Sequence, residues 1–195
     1  MTKVNKVKFG LDEVHIAKIT HGTDGNGNPT ITYGTPFALK GAVNLTLDPE
    51  GDSADFYADN TKYFSDSANN GYSGSLEVAL ANEKFRTDIL GETKDANGVL
   101  VENKDDVLSE FALGFRILGD TTERRYWYYE CTPQRISTAS GTIETAKNPQ
   151  TDTINITATA RITDGKVRAF IEDDGDNTAT YNSFFSAVYE TPVSA

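Results

Sequence analysis

Cysteine and histidine are scarce in this chain of 195 residues. It contains one cysteine, Cys131, and two histidines, His15 and His21. A single cysteine cannot form an intramolecular disulfide, which favours a reducing compartment. One cysteine and two histidines are too few of the usual zinc ligands for us to expect a zinc site. Cys131 ends an aromatic run, and we expect it to be a small buried hydrophobic residue.

Long apolar runs are also missing. No stretch is long enough to cross a bilayer, so we expect no membrane partner. Two early lysines in MTKVNKVKFG are followed by no apolar segment, so we expect no secretory signal and synthesis in a cytoplasm.

Motifs for catalysis and cofactor binding are absent as well. The chain has no G-x-S-x-G, no G-x-x-x-x-G-K and no G-x-G-x-x-G. The segment DGNGNP (24–29) alternates oxygen-bearing residues as a calcium loop does, but Pro29 and Thr35 stand where that loop needs Gly and Glu. We interpret it as a hairpin turn, and we predict no enzyme activity, no cofactor and no metal site.

Positive charge is in short supply. The chain has 18 basic and 29 acidic residues, a formal net charge of −11. Such a chain repels the nucleic-acid backbone, so we expect no ordinary DNA or RNA binding. A role in which DNA must not adhere is compatible with this charge.

Alternation of apolar and polar residues dominates what is present, and it predicts half-buried strands. The clearest examples are 76–80, 111–117 and, as the longest, 154–162. The segment 124–131 is a predicted strand that is aromatic on both faces, and 15–20 and 30–33 are shorter candidates on either side of a turn. Helical signals occur at 82–91, where Asn82 is a candidate N-cap, and near the C-terminus at Tyr181, Phe184, Phe185 and Val188. We predict a mainly β fold, an antiparallel sandwich or barrel of about eight to ten strands with one flanking short helix and a short C-terminal helix.

We predict a single domain over residues 1–195. It would carry an N-terminal arm (1–12), two candidate contact loops (44–70 and 139–152) and a C-terminal extension (171–195). The aromatic run at 126–129 could be a sugar-stacking platform, but we favour burial of one face in the core and of the other against a further element or subunit.

Carboxylates and aromatic rings are interleaved in NLTLDPEGDSADFYADNTKYF (44–64). A solvated acidic loop is one interpretation, since charge runs are usually solvent-facing. The other is a strand followed by a segment that contacts another protein, with aromatic anchors.

The blocks LDPEG…FYADN, NNGYSGSLEVAL and FRTDILG resemble the major tail proteins of long, non-contractile-tailed phages of Gram-positive bacteria. DANGVLVEN (95–103), ALGF (112–115), PQTDTINITA (149–158) and YNSFFSAVYE (181–190) continue the likeness in order over nearly the whole chain. The stretch ERRYWYYEC is richer in aromatic residues than that family's pattern.

The resemblance implies a virion tail tube protein, made in the host cytoplasm, whose hexameric rings stack around a channel for DNA ejection. Its partners would be further copies of itself, the tape measure protein, the tail terminator and the distal tail protein, with DNA passing unbound. Two sets of residues are candidates for this role. The subunit-contact candidates are Phe56, Tyr57, Tyr63, Phe64, Ile143 and Pro149, and the lumen-acidic candidates are Asp48, Glu50, Asp52 and Glu77.

Two alternatives stay open from the sequence. A carbohydrate-binding or adhesin module of β-sandwich type would bind glycan as a monomer through exposed aromatic residues. A tube subunit of a phage-derived secretion machine would share both the fold and the ring.

Overall fold

The computed structural model describes residues 5–142 and 149–192. These ranges contain thirteen strands and two short helices. The strands are β1 (Lys8–Thr23), β2 (Pro29–Tyr33), β3 (Phe37–Ala38), β4 (Ala42–Glu50), β5 (Ser53–Ala58), β6 (Thr61–Ser67), β7 (Gly71–Val78), β8 (Thr93–Lys94), β9 (Leu100–Val101), β10 (Phe111–Gly119), β11 (Arg124–Pro133), β12 (Asp152–Thr159) and β13 (Arg168–Glu172), and the helices are α1 (Glu83–Asp88) and α2 (Thr178–Ser183).

One large antiparallel sheet organises the molecule. Its strand order is β2-β1-β10-β11-β12-β7-β4, with β3 paired to β1 and β13 paired to β11, while β5-β6 and β8-β9 form separate two-stranded ladders. The sheet curls so that β4 approaches β1 near its other end. The predicted mainly β, antiparallel fold with two short helices is confirmed.

Side chains of β10 and β11 alternate between two apolar layers. Phe115, Tyr126 and Tyr128 face the main core inside the curled sheet, whereas Trp127 and Tyr129 face the opposite side. This period of two is what a strand buried on both faces requires. The interpretation of the aromatic run as buried is confirmed, since Trp127 and Tyr129 are 0% and 1% exposed.

The C-terminal segment covers the second apolar layer. Phe184 and Val188 pack there against Trp127, and the Trp127 Nε1–H donates to the Phe184 carbonyl oxygen at 2.7 Å. The helix is shorter than the spacing of Tyr181 to Val188 predicts, because α2 ends at Ser183 and the chain continues as turns. The residues at helical spacing therefore cover the second apolar layer without forming one long helix.

Helix α1 forms as the sequence predicts. The Asn82 side chain accepts a hydrogen bond from the Phe85 backbone N–H at 2.8 Å, which satisfies one of the free donors of the first turn. Phe85 and Ile89 are fully buried in the main core. Gly91, with φ of 81°, follows the end of the helix in the left-handed conformation that glycine adopts easily.

One predicted strand boundary is wrong. The strand expected over 154–162 ends at Thr159, and Ile162 is 69% exposed while Arg161 is buried. The cause is a turn in which the Gly165 N–H bonds the Arg161 carbonyl, so the alternation breaks after Thr159. The expected arm of residues 1–12 is partly strand, because residues 8–12 belong to β1 and pair with β10.

Candidate functional site

A long two-stranded ribbon leaves the sheet at its β4-β7 edge. The β4-β7 ladder continues into the β5-β6 hairpin through hydrogen bonds from the Asn70 N–H to the Glu50 carbonyl and from the Ala68 N–H to the Asp52 carbonyl. Asp59 and Asn60, both with positive φ, close the tip. A two-residue turn with both residues left-handed matches the twist of a hairpin, and Asp and Asn tolerate that conformation.

Four aromatic side chains of this hairpin are exposed. Phe56, Tyr57, Tyr63 and Phe64 are 60%, 63%, 78% and 59% exposed. Phe56 lies directly opposite Phe64, and a bulge shifts the register between Phe56 and Tyr57. The hairpin strands contact chiefly each other. A two-stranded ribbon without further strands is only marginally stable in water. Aromatic residues are enriched at protein interfaces, so this cluster of exposed rings has the composition of an interface and not of a core.

Polar contacts on the ribbon order it without covering the rings. The Asp55 carboxylate lies 2.7 Å from the Lys62 Nζ and accepts a hydrogen bond from the Ser65 hydroxyl at 2.6 Å. The Lys62 contact and then the Ser65 contact lower the pKa of Asp55, so this carboxylate stays charged at mildly acidic pH. The segment 53–67 has three Asp and one Lys, a net charge of −2.

Three of the four lumen-acidic candidates lie on one polar face of the sheet. Asp48 and Glu50 of β4 share it with Glu77 of β7, because Leu45, Leu47, Leu76 and Val78 on the same two strands point to the main core. Glu50 accepts a hydrogen bond from the Ser73 hydroxyl, and Glu77 accepts one from the Thr151 hydroxyl at 2.5 Å. No Lys or Arg occurs in the three adjacent strands β4, β7 and β12.

The other candidates are more scattered. Asp52 is exposed between β4 and β5, at the base of the hairpin and off the strands that carry Asp48 and Glu77. Pro149 is exposed in a segment without regular structure, and Ile143 lies outside the described residues. The structure therefore brings together four of the six contact candidates, all of them in β5 and β6.

A shallow apolar groove lies between β1 and β4. Its lining residues are Lys8, Phe9, Gly10, Leu11, Val43, Asn44, Leu45 and Ile117, and it adjoins a second depression that shares Lys8 and Ile117 and adds Lys6 and Val7. Val7, Phe9 and Val43 are each more than half exposed. The sequence does not indicate this groove, since isolated Val and Phe residues near strand ends give no pattern.

Residues with catalytic chemistry in other proteins have structural positions here. Cys131 is fully buried, and burial raises the pKa of its thiol strongly, which keeps it unreactive as expected. His15 is in β1 and stacks on Phe185 with ring centroids 4.6 Å apart. The 24–29 segment is the turn of the β1-β2 hairpin, as predicted, with the Asp24 carboxylate accepting the Asn26 and Asn28 N–H groups.

Neither helix in the described part of the chain has the length and apolar character needed to cross a membrane. No protein-family model matches the chain, and no curated protein matches its sequence.

Proposed function

We propose that this chain is a structural subunit that polymerises as stacked rings into the tail tube of a long-tailed phage, forming an acidic conduit for DNA. The exposed aromatic hairpin is the observation that carries this proposal. It fits the contact role that the sequence resemblance implies for the segment 44–64. The tape measure, tail terminator and distal tail proteins would be its partners in the virion.

The hairpin has a physical reason to bind another chain. Burying one phenylalanine that was in water contributes roughly 1.5–3 kcal/mol. Phe56, Tyr57, Tyr63 and Phe64 together can offset part of the cost of association, which is about 4–15 kcal/mol. Aromatic anchors at the centre of an interface commonly carry most of its binding energy.

The surface that we assign to the hairpin is the groove along Phe9 and Val43, together with the adjoining depression at Val7. It offers exposed apolar side chains beside Lys6 and Lys8, and the hairpin offers exposed rings with a net charge of −2. Val43 and Glu50 are near opposite ends of β4, about 23 Å apart at 3.3 Å per residue, and the hairpin extends further. One subunit's hairpin would therefore reach its neighbour's groove, a head-to-tail contact that generates rings or filaments.

The polar face of β4, β7 and β12 supports the conduit part of the proposal. It carries Asp48, Glu50 and Glu77 on strands without a basic residue. A lumen lined by such a face would repel phosphate and let DNA slide, whereas a basic lumen would hold it. The tube of a phage-derived secretion machine would use the same ring, and neighbouring tail genes would separate the two.

The test is the double variant Phe56→Ser/Tyr57→Ser. Wild-type protein at high concentration, alone and seeded with tail-tip complexes, is followed by negative-stain electron microscopy beside its solution mass. We expect rings or tubes from the wild type and loss of assembly in the double variant. The free energy of unfolding of the isolated subunit should change by no more than about 0.5 kcal/mol, since both side chains are exposed.

Val107→Ser is the matched control, because Val107 is 80% exposed on a different part of the chain. This variant should assemble like the wild type. Normal tubes from the double variant would refute the contact role of the hairpin. A wild type that stays monomeric in both conditions and binds glycan would favour the carbohydrate-binding alternative.

A further inference from the structure

His21, Glu110 and Glu130 form a cluster that the sequence analysis did not identify. His21 is in the second half of β1, Glu110 directly precedes β10 and Glu130 is in β11, and these three strands are adjacent in the sheet. One nitrogen of His21 and one carboxylate oxygen from each glutamate lie within 4.8 Å of one another. The side chains thus converge from β1, from the residue before β10 and from β11, at positions that are 89 and 20 residues apart along the chain.

The two glutamates differ in how their carboxylate oxygens are satisfied. Glu110 Oε1 accepts a hydrogen bond from the Thr132 hydroxyl at 3.3 Å, while its Oε2 lies 2.5 Å from the His21 Nε2. The Glu130 carboxylate accepts the Ile162 backbone N–H. Its Oε2 atom is buried and has no hydrogen-bond partner among the described residues. A buried carboxylate oxygen without a partner is costly, and a bound cation is one means of satisfying it.

A bulge in β11 contributes to this geometry. The pairing with β10 shifts register between Leu113, opposite Tyr128, and Phe111, opposite Cys131. Tyr128 and Cys131 both face the main core, so two residues, Tyr129 and Glu130, lie between two inward-facing side chains. Bulges redirect side chains in this way and are frequent beside functional sites.

The electrostatics also favour a cation. Burial, and then the neighbouring Glu110, raise the pKa of Glu130, whereas His21 and Arg161 oppose the rise. Two carboxylates this close repel each other, and a divalent ion between them would relieve both the repulsion and the loss of hydration.

We propose that His21, Glu110 and Glu130 bind a divalent transition-metal ion of the zinc type. One imidazole nitrogen with two carboxylate oxygens suits such an ion better than Mg²⁺ or Ca²⁺, which prefer oxygen ligands alone. Zinc bonds to these atoms are about 2.0–2.2 Å long, so ligands on one ion lie roughly 3–4 Å apart, and small side-chain rotations reach that spacing. The proposal departs from the expectation of no metal site, which rested on counting Cys and His, and it does not depend on the tail tube assignment.

The experiment is a titration of the full chain with ZnCl₂ at pH 7, followed by calorimetry and by the shift of Tm. We expect the wild type to bind one Zn²⁺ and to gain Tm with its concentration. His21→Gln and Glu130→Gln should each weaken binding about tenfold or more, since each removes a ligand. His15→Gln is the matched control, because His15 is on the same strand but outside the cluster, and MgCl₂ is the comparison ion.

Several results would overturn the proposal. These are no Zn²⁺ binding by the wild type, equal binding by the two cluster variants, weakening in only one of them, or an equal loss in His15→Gln. Glu130→Gln keeps the shape of the side chain and removes a partly desolvated charge, so we expect this variant to fold.

Discussion

Aromatic residues of this protein occur in two contrasting settings. In β11, Trp127 and Tyr129 are at most 1% exposed, and Trp127 is held by a hydrogen bond to Phe184. In the β5-β6 hairpin, Phe56 and Tyr63 are 60% and 78% exposed. Both segments are β-strands that carry several aromatic residues, so strand formation by itself does not determine what an aromatic ring contributes.

Their difference lies in the neighbouring elements. Strand β11 pairs with neighbouring strands along both of its edges. One of its faces packs on the main core, and the other packs on the C-terminal segment. Strands β5 and β6 have only each other as ladder partners among the described residues. A ring in the first setting stabilises the subunit, and a ring in the second is available to a partner.

The largest expected effect on stability comes from truncating Trp127, whose ring is fully buried. Trp127→Ala should lower the free energy of unfolding by about 3–5 kcal/mol, because it leaves a cavity and an unpaired Phe184 carbonyl. Equilibrium urea unfolding measures this. Tyr63→Ala is the matched change in the hairpin and should stay within about 0.5 kcal/mol of the wild type. Similar losses of unfolding free energy in the two variants would contradict the difference drawn between the buried and the exposed rings.

Packing against Trp127 provides the second test. A Cβ atom added at Gly114 would lie 2.8 Å from the Cη2 and Cζ3 atoms of the Trp127 ring. Gly114→Ala should therefore destabilise by about 1–3 kcal/mol through overpacking. Gly25→Ala is the control, because the space around Gly25 is open.

A double variant sharpens this second test. Adding Trp127→Phe to Gly114→Ala should recover part of the loss, because the smaller ring gives the methyl group room. Urea unfolding of the two single variants and the double variant gives the three losses in free energy of unfolding. If these losses are additive, the Trp127 ring does not restrict the space for a side chain at residue 114.

The smallest effect concerns the polar network beside the covered rings. The buried Arg161 guanidinium lies 4.2 Å over the Tyr129 ring and bonds both Asp164 and Glu190, so it ties the C-terminal segment to the sheet. Burial would raise the pKa of Asp164, but hydrogen bonds from Arg161 and Lys166 outweigh it and lower the pKa to about 2.

Asp164→Asn should therefore destabilise the fold by less than about 1 kcal/mol above pH 4, since the group is partly exposed. A lowered folded-state pKa contributes stability above the unfolded-state value of 3.8, and this contribution is lost as the pH falls towards 2. Thermal unfolding from pH 2 to pH 7 measures the difference. Asp105→Asn, at an 85% exposed side chain, is the control. A pH-independent difference for Asp164→Asn would contradict the assignment.

Local patterns predicted much of the fold. The strands over 111–117 and 124–131 and the helix capped by Asn82 follow from signals within a few residues, because alternation and capping act at short range. The sequence analysis contains no prediction of the β5-β6 hairpin, although the pair Asp59-Asn60 between two aromatic runs is a turn signal. The acidic residues around it drew the interpretation towards a loop.

Positions that depend on distant contacts were not predictable in the same way. Arg161 continues the alternation of β12, which would place it on the polar face, yet it is buried because Asp164, Tyr33 and Glu190 surround it. His21, Glu110 and Glu130 carry no motif, since their spacing along the chain is unrelated to their distance in the sheet. The groove of Phe9 and Val43 likewise exists only once β4 approaches β1.

The sequence by itself determined the class of fold, the two short helices, the burial of the aromatic run and the concentration of acidic and aromatic residues in 44–64, because these depend on composition and on contacts between near neighbours. Only the tertiary structure decided which rings are covered and which are exposed, and which ionisable groups meet. The physical reason is that burial depends on what packs against a strand, and in this sheet the packing elements come from the far end of the chain.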